Sequence, residues 1–132
     1  MEKLLMTGDK HLDRDHKKMV VYINRLYQLL DDKDTDYDKT TTLLSNVILH
    51  VREHFSYEED VMRKFKYPHI TEHKRQHEKI LNEAQLAIIS WREDNDSRYL
   101  QNNLREKIEY WFLDHIKEMD QPLMEYTLSQ KK

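Results

Sequence analysis

The sequence predicts an all-α protein folded as an antiparallel up-down-up-down four-helix bundle, and three observations predict it. One glycine and two prolines in 132 residues leave few breaks, which favours long helices joined by short turns. Apolar residues recur at steps of three and four, the period of one helix face. No stretch alternates with the period of two that a half-buried strand shows, and no internal repeat or low-complexity tract interrupts the pattern.

The first helix is expected over about 12–30, with His16, Met19, Val20, Ile23, Leu26, Tyr27 and Leu30 on one stripe. The acidic run DDKDTDYD follows as a solvated loop, in which Asp36 or Asp38 is suited to cap the next helix. That run lacks the glycine and the spacing of a calcium loop. The second helix spans about 37–65, with Leu43, Leu44, Val47, Val51, His54, Phe55, Glu58, Met62 and Phe65 inward. KYPH then breaks the chain, since Pro68 cannot continue a helix yet fits the first turn of a new one. The third helix spans about 69–92, with His73, His77, Ile80, Leu81, Ala84, Ile88 and Trp91 inward. REDNDS is the next loop, with Asp96 or Ser97 as its cap. The fourth helix spans about 97–117, with Leu100, Leu104, Ile108, Trp111 and His115 inward. Pro122 is expected to end it, leaving PLMEYTLSQKK as a short C-terminal tail. Short connections make consecutive helices antiparallel neighbours. Residues 1–132 thus read as one domain, a size that buries a modest core.

Composition excludes several function classes. Net charge is −3 and no basic stripe is visible, so a nucleic-acid partner is not expected. No stretch approaches the ~20 apolar residues that cross a bilayer, and the N-terminus lacks the apolar core of a signal peptide. Cysteine is absent, which removes disulfides and thiolate metal sites and suits a reducing cytoplasm. Against this stand eight histidines.

Every inward stripe carries histidine. Helix one has His16, helix two His54 with Glu58 four residues on, helix three His73 with His77 four on, and helix four His115. Residues four apart lie one turn apart on the same face, so each pair points at one spot. In an antiparallel bundle the start of helix one, the end of helix two, the start of helix three and the end of helix four share one end. All six therefore converge on one layer. Asp120 belongs with them only conditionally. Five residues turn an α-helix by roughly 500°, leaving His115 and Asp120 about 140° apart. Both reach one centre only if the helix ends between them, and Pro122 supplies a reason for that ending.

A lone inward histidine is more often a satisfied core residue than a ligand. Five imidazoles and two carboxylates in one apolar layer, with no lysine or arginine on the same face, are a different case. Burying such groups unpaired costs several kcal/mol. A divalent cation removes the difficulty, because neutral imidazole and carboxylate are its ligands. Seven donors exceed the need of one zinc and suit two metals roughly 3.5–4 Å apart, sharing carboxylates. Without sulfur the set points to iron, with manganese or zinc as alternatives. His11, His50 and His69 are expected at the surface or behind the ligands.

These residues resemble the hemerythrin family, its bacterial members in particular. LDRDH ending at His16, HFSYEEDVM from His54, YPHITEHKRQH from Tyr67 to His77, and WFLDHIKEMD from Trp111 to Asp120 carry the likeness, over residues of about 12–126. HxxxH alone is common in helices; HxxxE, HxxxH and HxxxxD together and in order are specific. The resemblance implies a non-heme di-iron centre, two iron ions cycling between ferrous and ferric with an oxo or hydroxo bridge. His73, His77 and His115 would bind one iron, His16 and His54 the other, and Glu58 and Asp120 would bridge. The iron with fewer ligands would take O2 end-on, reduced to hydroperoxide, in a dry pocket for which Phe55, Trp111 and Leu113 are the expected walls. Many bacterial members carry a tryptophan ahead of the first ligand; here Leu4, Leu5 or Met6 would cover that side.

The expected function is reversible O2 binding for storage, transport or sensing, with azide or NO as ligand analogues. The alternative is a di-iron enzyme acting on O2, peroxide or NO. Di-iron carboxylate proteins in four-helix bundles carry Glu-x-x-His pairs on two helices. The inward stripes here have none, and the set is histidine-rich, which favours binding over turnover. A role in signalling would need a partner protein.

Overall fold

The stripes fold as helices whose ends follow local chemistry. A computed structural model describes residues 10–31, 36–94, 106–107 and 109–130, the side chains of 94, 109, 112 and 113 excepted. Helix α1 is Lys10–Asp31, α2 is Tyr37–Lys64 and α3 is Ile70–Asp94. The last part of the chain comprises two π-helical stretches, π1 (Glu109–Asp114) and π2 (Ile116–Asp120), and α4 (Gln121–Gln130). The expected stripe residues Leu100, Leu104 and Ile108, the caps Asp96 and Ser97, and Leu4, Leu5 and Met6 fall outside the described residues. Among the described residues no strand occurs.

Of the two expected caps for α2, the chain uses Asp36, whose Oδ1 accepts the Lys39 backbone N–H at 3.0 Å. The other end closes on Lys66, which stands at φ 53°. Tyr67 N–H reaches back to Met62 O at 2.9 Å and Lys66 N–H to Arg63 O at 3.3 Å. This is the Schellman pattern, in which a left-handed residue lets the chain satisfy the last carbonyls. Tyr67 and Met62 pack together in the apolar cluster there, as the motif favours.

The helices alternate in direction. Trp91, late in α3, donates its indole N–H to Thr41 Oγ1 early in α2 at 2.9 Å, while His73, early in α3, lies 3.3 Å from Glu58 late in α2. His16 of α1 meets His54 of α2 edge to face at 4.9 Å. Along the fourth arm, Trp111 bonds Glu83, His115 bonds Gln76, and Asp120 reaches His73. Numbers rise on one helix as they fall on its neighbour, so the architecture is the expected antiparallel four-helix bundle.

The end of that arm corrects the sequence reading twice. The helix does not stop between His115 and Asp120; it widens into π geometry, and Gln121 N–H bonds Ile116 O five residues back. A π-turn holds about 4.4 residues, so side chains five apart lie about 50° from each other rather than ~140°. HxxxxD is thereby a same-face spacing. Nor is 121–130 a tail. Pro122 sits in the first turn of α4, where a missing N–H is tolerated. Leu123, Met124 and Thr127 of that helix are buried.

The core is consequently in two parts. Met19, Leu26, Leu30, Leu44, Val51, Phe55, Ile80, Trp91 and Trp111 belong to the larger cluster. Leu12, Met62, Tyr67, Leu123 and Met124 form the smaller one. Fully burying such a side chain contributes about 1.5–3 kcal/mol. Between the clusters lies a layer that is polar and as deeply buried as either.

Candidate metal centre

Seven side chains make that layer, each supplied by the turn its spacing dictates. His16 comes from α1, His54 and Glu58 from α2, His73 and His77 from α3, His115 from the residue between π1 and π2, and Asp120 from the end of π2. All are buried; Glu58, His73 and Asp120 are 0% exposed. Apolar side chains above and below them exclude the water that would otherwise solvate two carboxylates.

The five imidazoles turn Nε2 to the middle. Asp120 Oδ2 lies 3.3 Å from His16, and its Oδ1 lies 3.2 Å from His73 and 3.0 Å from His115. Glu58 Oε1 is 3.0 Å from His54, 3.6 Å from His77 and 4.0 Å from His115, and Oε2 is 3.3 Å from His73. The donors divide into two groups, each with its ligand atoms within 4.8 Å of one another: Glu58, His73, His77, His115 and Asp120 in one, His16, His54 and Asp120 in the other. Asp120 is common to both, and Glu58 also touches His54.

This set fits cations. His54 Nε2, His77 Nε2, His115 Nε2 and both oxygens of Glu58 are buried with no hydrogen-bond partner. Buried polar atoms in native proteins are almost always paired. Five unpaired atoms aimed at one small volume are satisfied together by positive charge placed between them.

The outward ring nitrogens explain why Nε2 faces in. His54 Nδ1 donates to Asp15 Oδ2 at 3.0 Å, His77 Nδ1 to Glu59 Oε2 at 3.2 Å, and His115 Nδ1 to Gln76 Oε1. An acceptor on Nδ1 keeps the proton there and leaves the Nε2 lone pair free. The supports run in chain order: α1 supports a histidine of α2, α2 one of α3, and α3 one of the fourth arm. Each supporting residue is next in sequence to an inward donor: Asp15 to His16, Glu59 to Glu58, Gln76 to His77. The signal was a polar neighbour beside each donor, readable only once helix order is known.

Electrostatics follow from the crowding. Burial, the largest influence, and Asp120 push Glu58 upward, but the His54 imidazole beside it outweighs them and holds it at about 2. Burial likewise opposes ionisation of Asp120, and His115 with the surrounding hydrogen bonds holds it well below the usual carboxylate range. Burial works against a charged imidazole too, yet Asp120 and Glu58 raise His73 to about 9, and Glu58, Asp120 and Asp15 raise His54. His77 goes the other way, lowered by burial and by electrostatic interaction with the neighbouring His115 and His73.

Of the expected pocket walls, Phe55 stacks face to face on His77, with ring centres 3.8 Å apart, and sits 5.3 Å from His115. Trp111 is buried one turn from His115, its indole N–H bonded to Glu83 at 2.7 Å. The Leu113 side chain is outside the described residues. The other histidines lie around the layer. His50 donates Nε2–H to the Asp15 carbonyl at 3.1 Å, exposed His11 stacks on Tyr57 and pairs with Asp15, and exposed His69 meets Tyr67 edge to face.

Among the described residues no helix is long and apolar enough to cross a membrane. The family model described as "Hemerythrin HHE cation binding domain" matches residues 7–126. A bacteriohemerythrin of Aquifex aeolicus is 24% identical over 89% of this chain and 88% of its own length. One of Campylobacter jejuni is 26% identical over 95% and 92%, and one of Stenotrophomonas maltophilia 23% over 89% and 73%. With four helices delivering a buried histidine–carboxylate layer and the family pattern running through nearly all of it, the chain belongs to the hemerythrin family of cation-binding domains.

Proposed function

We propose that this protein binds O2 reversibly at a non-heme di-iron centre, for oxygen storage, transport or sensing. The observation that carries the reading is the division of the buried donors into a three-histidine and a two-histidine group joined by carboxylates. His73, His77 and His115 would hold one iron, His16 and His54 the other, with Glu58 and Asp120 reaching both. A bound pair of irons supplies reversible two-electron exchange with O2.

The chain's own residues do the rest. Asp15, Glu59 and Gln76 keep the protons of His54, His77 and His115 on Nδ1, so each Nε2 presents a lone pair. Glu58 and Asp120 stay ionised in an apolar setting and offset the cations' charge. The two-histidine side has one donor fewer, which leaves room for a gas ligand there. Phe55 covers the imidazoles of His77 and His115 with hydrocarbon and keeps water away from them. The absence of cysteine suits a cytoplasmic setting.

The test is metal analysis of purified protein with visible spectra of reduced, aerated and azide-treated samples. Two irons per chain and a stable oxygenated spectrum that reverses on deaeration are expected. Bleaching with steady O2 consumption would point to an enzyme instead, and one metal per chain would end the di-iron reading.

A further inference from the structure

One turn above the histidine layer the bundle leaves a cavity of about 30 Å³. Val51 and Ile80 form its floor, each three residues from an inward histidine, His54 and His77 respectively. Trp111, four residues before His115, forms one wall. The remaining described walls are Ile, Leu, Val and Ala side chains of α1, α2 and α3. The single polar group among them, the Trp111 indole N–H, is already bonded to Glu83. A cavity needs about 10–15 Å³ to hold a water, but a water also needs two or more polar partners, and roomy apolar cavities stay dry and take apolar guests.

The space traces to particular residues. The inward stripe of α3 runs Ile80, Leu81, Ala84, Ala87, Ile88, and the two alanines fall beside the void. A branched side chain at 84 would fill it. Cores are otherwise packed to the density of organic crystals, and here the gap lies one turn from the donors, with apolar Val51 and Ile80 on the side that faces them.

We propose that this cavity is a docking site for a small apolar gas, which waits there before passing on to the metal centre one turn away. The proposal rests on the O2-binding reading for its cargo. Its ligand class is an uncharged diatomic without hydrogen-bonding demands, and xenon is a probe of the same kind.

The experiment compares wild type with Ala84→Leu, both iron-loaded. Xenon-pressurised crystals of wild type should show xenon between Val51, Ile80 and Ala84, and Ala84→Leu crystals should not. Stopped-flow mixing should show O2 association and dissociation both slowed by about fivefold in Ala84→Leu, with affinity unchanged, as for an obstructed route rather than an altered site. Overpacking a core can cost folding, so Val47→Ala supplies the opposite change: more xenon and faster rates. No xenon in the wild-type cavity overturns the docking site; xenon with unchanged rates in both variants overturns delivery. A wild type that takes up xenon but forms no oxygenated species defeats the O2 reading instead. The same rate comparison is then made with NO on reduced protein, where equal rates overturn delivery and slowed rates in Ala84→Leu uphold it.

Discussion

The Asp15 carboxylate stands 3.0 Å from His54 Nδ1, although the two residues lie on different helices and Asp15 neighbours a different inward histidine. It also pairs with His11 at 3.3 Å, and its backbone carbonyl accepts from His50. The same contact orients the imidazole and draws electron density toward Nε2.

Asp15→Asn should therefore keep the fold and weaken the two-histidine side. Loss of such outer partners costs roughly 10–100-fold in metal affinity. Competition with a graded chelator should show one of two irons lost early, while far-UV circular dichroism stays unchanged. Equal loss of both irons, or of neither, would refute the assigned geometry. Glu59→Gln should shift the weakness to the three-histidine side, because Glu59 holds His77.

His77→Ala should lower iron content and thermal stability together. It empties a fully buried position and leaves Glu58 Oε1 with one imidazole fewer among its neighbours at 3.0–4.0 Å. Because a cation binds the folded state alone, its loss removes stabilisation of RT ln(1 + [L]/Kd), about 4 kcal/mol at a thousandfold excess over Kd. Chelating the wild type should reproduce most of the fall in Tm. A variant that melts like the loaded wild type would place His77 outside the centre.

The bundle and most of the layer were legible because α-helical periodicity is regular. His54 and Glu58, or His73 and His77, sit four apart, and four is a same-face step on any α-helix. His115 and Asp120 were legible as a pair but not as a geometry, since five is a same-face step only in a π-helix, which has no composition signal of its own. For the same reason Pro122 read as a stop, while it occupies the opening turn of the helix that covers the layer's far side. The supports Asp15, Glu59 and Gln76 were not legible because each acts across a helix pair. Such contacts depend on rotation about the helix axis and on distance, which spacing along one stripe does not encode.

Lys66→Gly should stabilise the protein. Lys66 is exposed and holds φ 53°, a region that costs an L-residue about 1–2 kcal/mol. Glycine removes that cost and gives back part of it through the extra freedom of the unfolded chain, for a net gain of about 0.5–1 kcal/mol. The hydrogen bonds to Arg63 and Met62 are backbone and persist. Thermal unfolding should shift up by about 2–4 °C. A downward shift would mean that the lysine side chain makes a contact worth more than the strain.

Loading the centre should release protons at neutral pH. Without a cation, His73 titrates at about 9 and is charged at pH 7, and the carboxylates around His54 raise it well above its ordinary range. A cation takes the Nε2 lone pairs that those protons occupy. Adding Zn2+, a redox-silent probe, to chelator-stripped protein at pH 7 in weak buffer with an indicator dye should free protons, the one on His73 among them. The His73 share should vanish above pH 9. The sign for the stripped protein is opposite to that for the loaded one. A histidine raised from 6.5 to about 9 contributes stability that is complete below 6.5 and lost as pH rises through 9. Glu58, lowered from 4.5 to about 2, contributes stability that is complete above 4.5 and lost as pH falls through 2. Stripped protein should thus melt highest between pH 4.5 and 6.5 and lose stability toward pH 9. Metal affinity climbs over that same interval because fewer protons compete. Melting curves with and without Zn2+ should diverge steadily from pH 6.5 to 9; parallel curves would show that the imidazoles are already neutral and that the carboxylates do not hold their protons.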